Sequence, residues 1–193
     1  MDKKQRILWG GATASSQYEG GFMNSKGLDT QDCRAYLPRT SNATEETRLL
    51  TKEKIEEAKR LDSDKYYPFR NGTKGFENLE EDIEYLVEFG LDLYRFSISW
   101  ARLFPNGVEE VPSPEGVAYY DQVFNLLTEK KIKIFLTLNH YAMPIYLVEQ
   151  YGGWKGRECI EHFMRFATFV FERWGNLVEY WLPFNEINAG YFS

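Results

Sequence analysis

Several features that would assign a function at once are missing from this chain of 193 residues. Its two cysteines, Cys33 and Cys159, lie far apart and form no metal motif, which is typical of a protein in a reducing cytoplasm. No apolar run reaches the roughly 18 residues of a membrane span, and the charged N-terminus lacks a secretion signal. The net charge of −6 disfavours nonspecific nucleic-acid binding. We therefore expect a cytoplasmic protein with neither membrane nor nucleic acid as partner.

Nucleotide-binding motifs are also missing. No Gly-x-Gly-x-x-Gly turn or phosphate loop follows a predicted strand, and Gly10-Gly11 lies inside the first apolar run rather than opening a helix. We expect no cofactor and no metal. Aromatic residues, in contrast, are abundant at 17% of the chain. Aromatics fill cores and also serve as platforms for sugar rings, and composition alone does not separate these uses.

Four apolar runs alternate with helical patterns. The runs are nearly continuous in apolar character, which predicts strands of a parallel sheet that is buried on both faces. Amphipathic spacing predicts helices at Asn78–Phe89, Glu115–Lys131 and Cys159–Trp174. This βαβ order implies right-handed crossovers. The four predicted strands are Ile7–Ala14, Leu91–Ile98, Ile132–Leu138 and Val178–Phe184.

The segment from about residue 22 to residue 75 breaks this rhythm and predicts a long loop insertion after the first strand. It contains one charged amphipathic piece, Lys52–Leu61, and its weakest structural signal is at Thr40–Thr51. The whole chain, residues 1–193, reads as one α/β domain. Four βα units are half of a TIM (β/α)8 barrel, which needs about 250 residues when complete. An open α/β sheet is the alternative.

Polar side chains occur at or just after the predicted strand ends. In a parallel barrel the carboxyl ends of the strands meet at one mouth, where catalytic groups lie. Amides, an imidazole, a guanidinium and a carboxylate suit a polyhydroxylated ligand. The candidates are Gln17 and Glu19 after the first strand, Arg95 in the second, His140 after the third, and Asn185 and Glu186 after the fourth.

Each candidate also has a purely structural interpretation. Gln17 fits a loop amide bonded to its own backbone, and His140 fits a satisfied structural histidine. Glu19, beside two glycines, fits a solvated turn carboxylate more readily than a site residue. Arg95 lies in an apolar strand, and a buried guanidinium needs an anionic partner, either structural or within a site.

Glu186 is the candidate that a structural role explains least well. It follows the apolar stretch that ends at Phe184, where a buried carboxylate is costly to ionise, which suits a general acid. Strict alternation places Asn185 and Glu186 on opposite faces of a strand. Both reach the mouth only if the strand twists or bulges at its end.

Five segments in order make the chain resemble glycoside hydrolase family 1, the β-glucosidases and 6-phospho-β-glucosidases, over nearly its whole length. Details of the third, fourth and fifth segments look more like the bacterial phospho-β-glucosidases. Residues 74–81 depart from the family pattern, because they lack its aromatic-His-Arg-Tyr stretch. The five segments are Leu8-Trp-Gly-Gly-Ala-Thr-Ala-Ser-Ser-Gln-Tyr-Glu-Gly20, Tyr94-Arg-Phe-Ser-Ile-Ser-Trp100, Leu138-Asn-His-Tyr-Ala-Met-Pro144, Tyr151-Gly-Gly-Trp154 and Phe184-Asn-Glu-Ile-Asn188.

The resemblance implies a (β/α)8 barrel and a retaining mechanism with two glutamates. Glu186 matches the acid/base, and Arg95 matches the arginine that orients the nucleophile. Asn185 matches the residue that bonds the sugar 2-hydroxyl, while Gln17 and His140 match groups that hold glycone hydroxyls. The implied substrate is a β-glucoside, most readily a 6-phosphorylated one.

The second half of the family fold, with its nucleophilic glutamate on strand 7, has no counterpart in this chain. We therefore expect the chain to be inactive alone, and to self-associate or to pair with the missing half. Two alternatives stay open from the sequence. One is a fragment of a plain β-glucosidase or β-galactosidase, and the other is a noncatalytic sugar-binding or interaction module.

Overall fold

The structure, a computed structural model, describes residues 7–37, 49–60 and 63–188. Within these residues four strands form one parallel sheet in the order β1-β2-β3-β4. Each strand pairs with its neighbour in sequence, as expected for successive right-handed βαβ units. The strands are β1 (Gly10–Ala12), β2 (Leu93–Ser97), β3 (Lys133–Asn139) and β4 (Tyr180–Phe184).

Eight α-helices occur in the described residues, and three of them are the crossover helices predicted from amphipathic spacing. These three are α4, α6 and α8, each of which precedes a strand. The full set is α1 (Ser15–Tyr18), α2 (Lys52–Lys59), α3 (Pro68–Asn71), α4 (Leu79–Glu88), α5 (Trp100–Leu103), α6 (Pro114–Glu129), α7 (Ile145–Tyr151) and α8 (Glu158–Trp174).

The main core lies between the outer face of the sheet and these crossover helices. Tyr94 and Phe96 alternate along β2 and point into it, where the Phe96 ring meets Phe124 of α6 with centroids 5.6 Å apart. Trp174 stacks on Phe124 at 5.0 Å. Side chains one position out of step, such as Arg95, lie on the opposite face. Alternation therefore places Arg95 on the face of the sheet that points away from the main core.

The predicted insertion after β1 is more ordered than a loop. Its described residues include α2 and α3, and they build a second, smaller core. Ile55 and Ala58 of α2 are buried there beside Cys33, Tyr67 and Ile145, so the insertion packs against α7. Part of the weakly patterned stretch Thr40–Thr51 lies outside the described residues. The assignment of residues 1–193 to one domain stays a prediction.

The strand register brings the ends of β2, β3 and β4 to the same edge. Arg95 pairs with Ala12 on one side and Phe135 on the other, and Asn139 pairs with Phe184. The residues that directly follow β3 and β4 therefore emerge side by side. No helix in the described residues has the length and apolar character needed to cross a membrane.

Candidate active site

Arg95 is the hub of a polar cluster at the carboxyl ends of the strands. Its Nη2 donates to Oδ1 of Asn185 over 2.5 Å, and its Nε donates to Oγ1 of Thr137 over 3.0 Å. The guanidinium also lies 5.7 Å from the centre of the Phe135 ring. These contacts link β2, β3 and the end of β4 through one side chain. In the described residues these two hydrogen-bond partners are neutral oxygens, and the carboxylate that the resemblance assigns to Arg95 stays a prediction.

Asn185 and Glu186 reach the same mouth because β4 stops at Phe184. The Asn185 N–H still donates to the carbonyl of Asn139 over 2.9 Å, which extends the hydrogen bonding between β3 and β4 by one more bond. Glu186 then adopts a left-handed backbone, with φ of +42°. Such a conformation costs a non-glycine residue roughly 1–2 kcal/mol, and it tends to occur at functional sites. In an extended strand Asn185 and Glu186 would point to opposite faces. This turn, rather than a bulge, brings both residues to the mouth.

Tyr141 is a site residue that the candidate set from the sequence did not include. Its hydroxyl donates a hydrogen bond to Oε2 of Glu186, and its backbone is also left-handed, with φ of +69°. The only advance signal was its place in Asn139-His140-Tyr141, directly after an apolar strand. Thr137, the second partner of Arg95, gave no signal because it reads as an ordinary strand residue.

His140 lies within the same electrostatic environment. Burial lowers the pKa of its imidazole, the nearby positive charge of Arg95 lowers it further, and Glu186 opposes both. Its ring packs edge-on against Tyr141, with centroids 5.1 Å apart. Its Nδ1 is buried without a hydrogen-bond partner among the described residues. His140 is therefore neutral near pH 7 and has one ring nitrogen unused by the described protein.

Gln17 lies on the short helix α1, with an exposed side chain. No hydrogen bond joins its side chain to the cluster around Arg95 in the described residues, whereas the other four of the five residues that the family resemblance implicates come together. Their shared region contains Arg95, His140, Asn185 and Glu186, joined by Tyr141.

The interpretation of Glu19 as a solvated turn carboxylate is wrong. Glu19 is only 3% exposed, and its Oε2 accepts from Nε of Arg102 over 2.9 Å. Its Oε1 accepts from the Tyr120 hydroxyl over 2.5 Å. Arg102 also donates to the Gly20 carbonyl over 2.7 Å. Glu19 therefore fastens the segment after β1, including α1 and Gln17, to the segment after β2, and it is not placed to serve as a nucleophile.

A second buried charge cluster supports the segment after β3. Lys26 contacts Asp29 at 2.9 Å and Asp32 at 2.5 Å, and all three side chains are almost fully buried. The pKa of Asp32 is raised to about 7, because burial and, after it, the charge of Asp29 raise it more than Lys26 lowers it. The loop that carries these residues pairs with the chain near Pro144. It thus braces the residues just beyond Tyr141.

Comparison with known families gives one consistent result. The family model described as glycosyl hydrolase family 1 matches residues 3–192. A 6-phospho-beta-glucosidase of Escherichia coli is 40% identical over 185 residues, which are 95% of this chain and 37% of that protein. An aryl-phospho-beta-D-glucosidase of Bacillus subtilis is 38% identical over 184 residues, which are 95% and 36% of the two chains.

Solved structures agree with the sequence relatives. A rice beta-glucosidase matches with a TM-score of 0.72 and 27% identity, over 94% of this chain and 34% of its own. An aphid myrosinase matches with a TM-score of 0.73 and 29% identity, over 94% and 35% of the two chains. This chain thus spans about a third of these relatives and supplies four βα units of their TIM barrel, as predicted from the sequence. The chain belongs to glycosyl hydrolase family 1.

Proposed function

We propose that this chain carries the acid/base part of a retaining β-glycosidase that hydrolyses 6-phospho-β-glucosides. The observation that carries the proposal is the cluster at the ends of β2, β3 and β4. There Glu186 stands beside Asn185, which is held by Arg95. Family membership and two relatives whose names specify phospho-glucosidases support the substrate class.

In the first step a second carboxylate attacks the anomeric carbon as the bond to the aglycone oxygen breaks. The electron pair of that bond goes to the aglycone oxygen, which takes the proton from the Glu186 carboxylic acid. The products are a covalent glycosyl ester, a free alcohol and an ionised Glu186. The resemblance to the family assigns the attacking carboxylate to a seventh strand, beyond the four strands of this chain.

In the second step Glu186 acts as the base. Water loses a proton to the Glu186 carboxylate, and its oxygen attacks the anomeric carbon. The ester bond breaks, and its electron pair returns to the nucleophilic carboxylate. The free sugar leaves, and Glu186 is protonated again for the next cycle. One glycoside and one water thus give one sugar and one alcohol.

The other cluster residues hold the substrate and the nucleophile. Asn185 binds the sugar 2-hydroxyl, with its amide oriented by the bond from Arg95. His140 is a neutral hydrogen-bonding group whose Nδ1 is unused by the described residues, so it suits a glycone hydroxyl. Gln17 binds a further hydroxyl from α1. Arg95 orients the nucleophile when the remaining strands are present.

The 193-residue chain alone is proposed to be inactive, because a retaining mechanism requires two carboxylates about 5–5.5 Å apart. In the described residues β1 and β4 each pair on one side only. Open strand edges favour association, so the chain is proposed to pair with the remaining strands or with itself. A cytoplasmic location stays a prediction.

The test is release of nitrophenol from nitrophenyl β-glucoside and from its 6-phosphate. The chain is assayed alone and after mixing with a second polypeptide that carries the remaining strands of the Escherichia coli relative. The corresponding first third of that relative, mixed with the same polypeptide, is the positive control. We expect activity only in the mixtures and only with the phosphate.

Other outcomes correct the proposal in specific ways. Turnover by the chain alone, at a rate like that of the control mixture, refutes the proposed inactivity. If the mixture hydrolyses the plain glucoside but not its 6-phosphate, the activity is that of a β-glucosidase, as the rice structural relative suggests. If the control mixture is active and the mixture with this chain is not, the chain is a noncatalytic module.

A further inference from the structure

Two left-handed residues meet at the site. Tyr141 and Glu186 follow different strands, yet both adopt positive φ, and their side chains are joined by a hydrogen bond. A bulky residue rarely adopts this conformation unless the surrounding structure imposes it. The coincidence at two bonded residues indicates that the backbone is arranged to bring the phenol and the carboxylate together.

Contacts on both sides hold Tyr141 in place. Its carbonyl accepts from the Thr30 hydroxyl over 3.4 Å, and that same hydroxyl accepts from the Met143 N–H over 3.3 Å. Just beyond, Asn139 Nδ2 donates to the Ala142 carbonyl over 2.9 Å. The tight turn after β3 is therefore fixed by the insertion loop and by the last residue of the strand.

We propose that Tyr141 is a positioning residue for Glu186, which it holds through a hydrogen bond to Oε2. The proposal rests on the proposed acid/base role of Glu186. With Oε2 occupied by the phenol, Oε1 is the oxygen that faces the substrate. The phenol donates most strongly to the ionised carboxylate, and it still donates to Oε2 as the carbonyl oxygen of the protonated acid. Oε1 is therefore the oxygen that carries the proton whenever Glu186 is protonated.

The state of the phenol supports this arrangement. The hydrogen bond to Glu186 raises the pKa of Tyr141 above its usual value near 10, with smaller contributions from burial and from the carboxylate charge. Tyr141 thus remains a protonated donor at any pH at which the enzyme would work. Tyr146, also 39% exposed and five residues along, provides a matched control.

The first test uses the 193-residue chain with tyrosine labelled with ¹³C at Cζ. The Tyr141 signal is assigned by its loss in Tyr141→Phe, and the Tyr146 signal by its loss in Tyr146→Phe. We expect Tyr141 to titrate above 10 and to move back toward 10 in Glu186→Gln, while the Tyr146 signal does not respond. A Tyr141 signal that ignores Glu186→Gln overturns the proposal.

The second test uses the active mixture described above. We expect Tyr141→Phe to lower kcat about tenfold, the effect of one lost hydrogen bond to a charged group, with KM changed less than about twofold. Tyr146→Phe should leave both within about twofold. An unchanged kcat in Tyr141→Phe refutes the positioning role even if the bond exists. Failure of the proposed function has a separate signature, because it leaves the unmutated mixture inactive while the NMR response persists.

Discussion

Replacing Glu19 by glutamine tests how the segment after β1 is held at the site. The substitution keeps the shape of the side chain and removes its charge. Glu19 accepts from Arg102 at 2.9 Å through one oxygen and from Tyr120 at 2.5 Å through the other. Glutamine has a single acceptor oxygen, so its NH₂ group faces a donor. Arg102, 1% exposed, is left without its counter-charge.

The expected loss follows from this geometry. Removing one partner of a buried ion pair costs about 3–5 kcal/mol, and we take about 3 because Arg102 keeps its bond to the Gly20 carbonyl. With a urea slope of about 2 kcal/mol per molar, the unfolding midpoint should fall by about 1.5 M. The assay is urea unfolding of the 193-residue chain, followed by circular dichroism.

Two controls make the result specific. Glu84→Gln breaks an exposed contact with Lys130 and should lower the stability by less than about 1 kcal/mol. Glu19→Leu combined with Arg102→Met removes both charges and should recover much of the loss, because apolar replacement of a buried pair is often neutral. A midpoint for Glu19→Gln within about 0.3 M of the unmutated chain, or equal losses for Glu19→Gln and Glu84→Gln, would refute the reasoning.

Three further predictions concern the site and its bracing loop. The pKa of His140, measured by NMR, should lie below the ordinary value of 6.5, and Arg95→Met should raise it. Because the folded protein binds this proton more weakly than the unfolded chain, the free energy of unfolding should fall as the pH drops below 6.5. Because the folded pKa of Asp32 is raised to about 7, stability should decline as pH rises from about 3.8 to about 7. Asp29→Asn removes the neighbouring charge and keeps the oxygen that accepts from the Gln31 N–H. It should therefore make the loss of stability with pH smaller, as measured by urea unfolding at a series of pH values. A lysine ammonium cannot donate to both Thr137 and Asn185 in the way that the planar guanidinium of Arg95 does. Arg95→Lys should therefore lower kcat/KM of the active mixture about ten- to a hundredfold.

The sheet and the crossover helices were predictable because their signals are local. Continuous apolar runs and amphipathic spacing are properties of neighbouring residues, and they located β2, β3 and β4 closely. The predicted first strand was too long, since only Gly10–Ala12 pairs with β2. Pairing depends on a partner strand, which a single segment does not reveal.

Charge pairing was less predictable because it joins distant residues. Glu19 beside two glycines looks like a turn carboxylate until the fold brings Arg102, 83 residues later, against it. The same holds for Arg95, whose described partners include Asn185, 90 residues away. The left-handed conformations of Tyr141 and Glu186 had no sequence signal at all, since neither position is glycine or asparagine.

The central claim is that Glu186 is the acid/base of a retaining glycosidase. It is tested most directly by Glu186→Gln in the active mixture, with a nitrophenyl 6-phospho-β-glucoside as substrate and with azide added. Removing a general acid–base should lower kcat by about a hundredfold or more. Azide needs no base to attack the glycosyl ester, so it should restore turnover and yield the β-glycosyl azide. Full activity in Glu186→Gln, or a loss that azide does not relieve, would contradict the assignment.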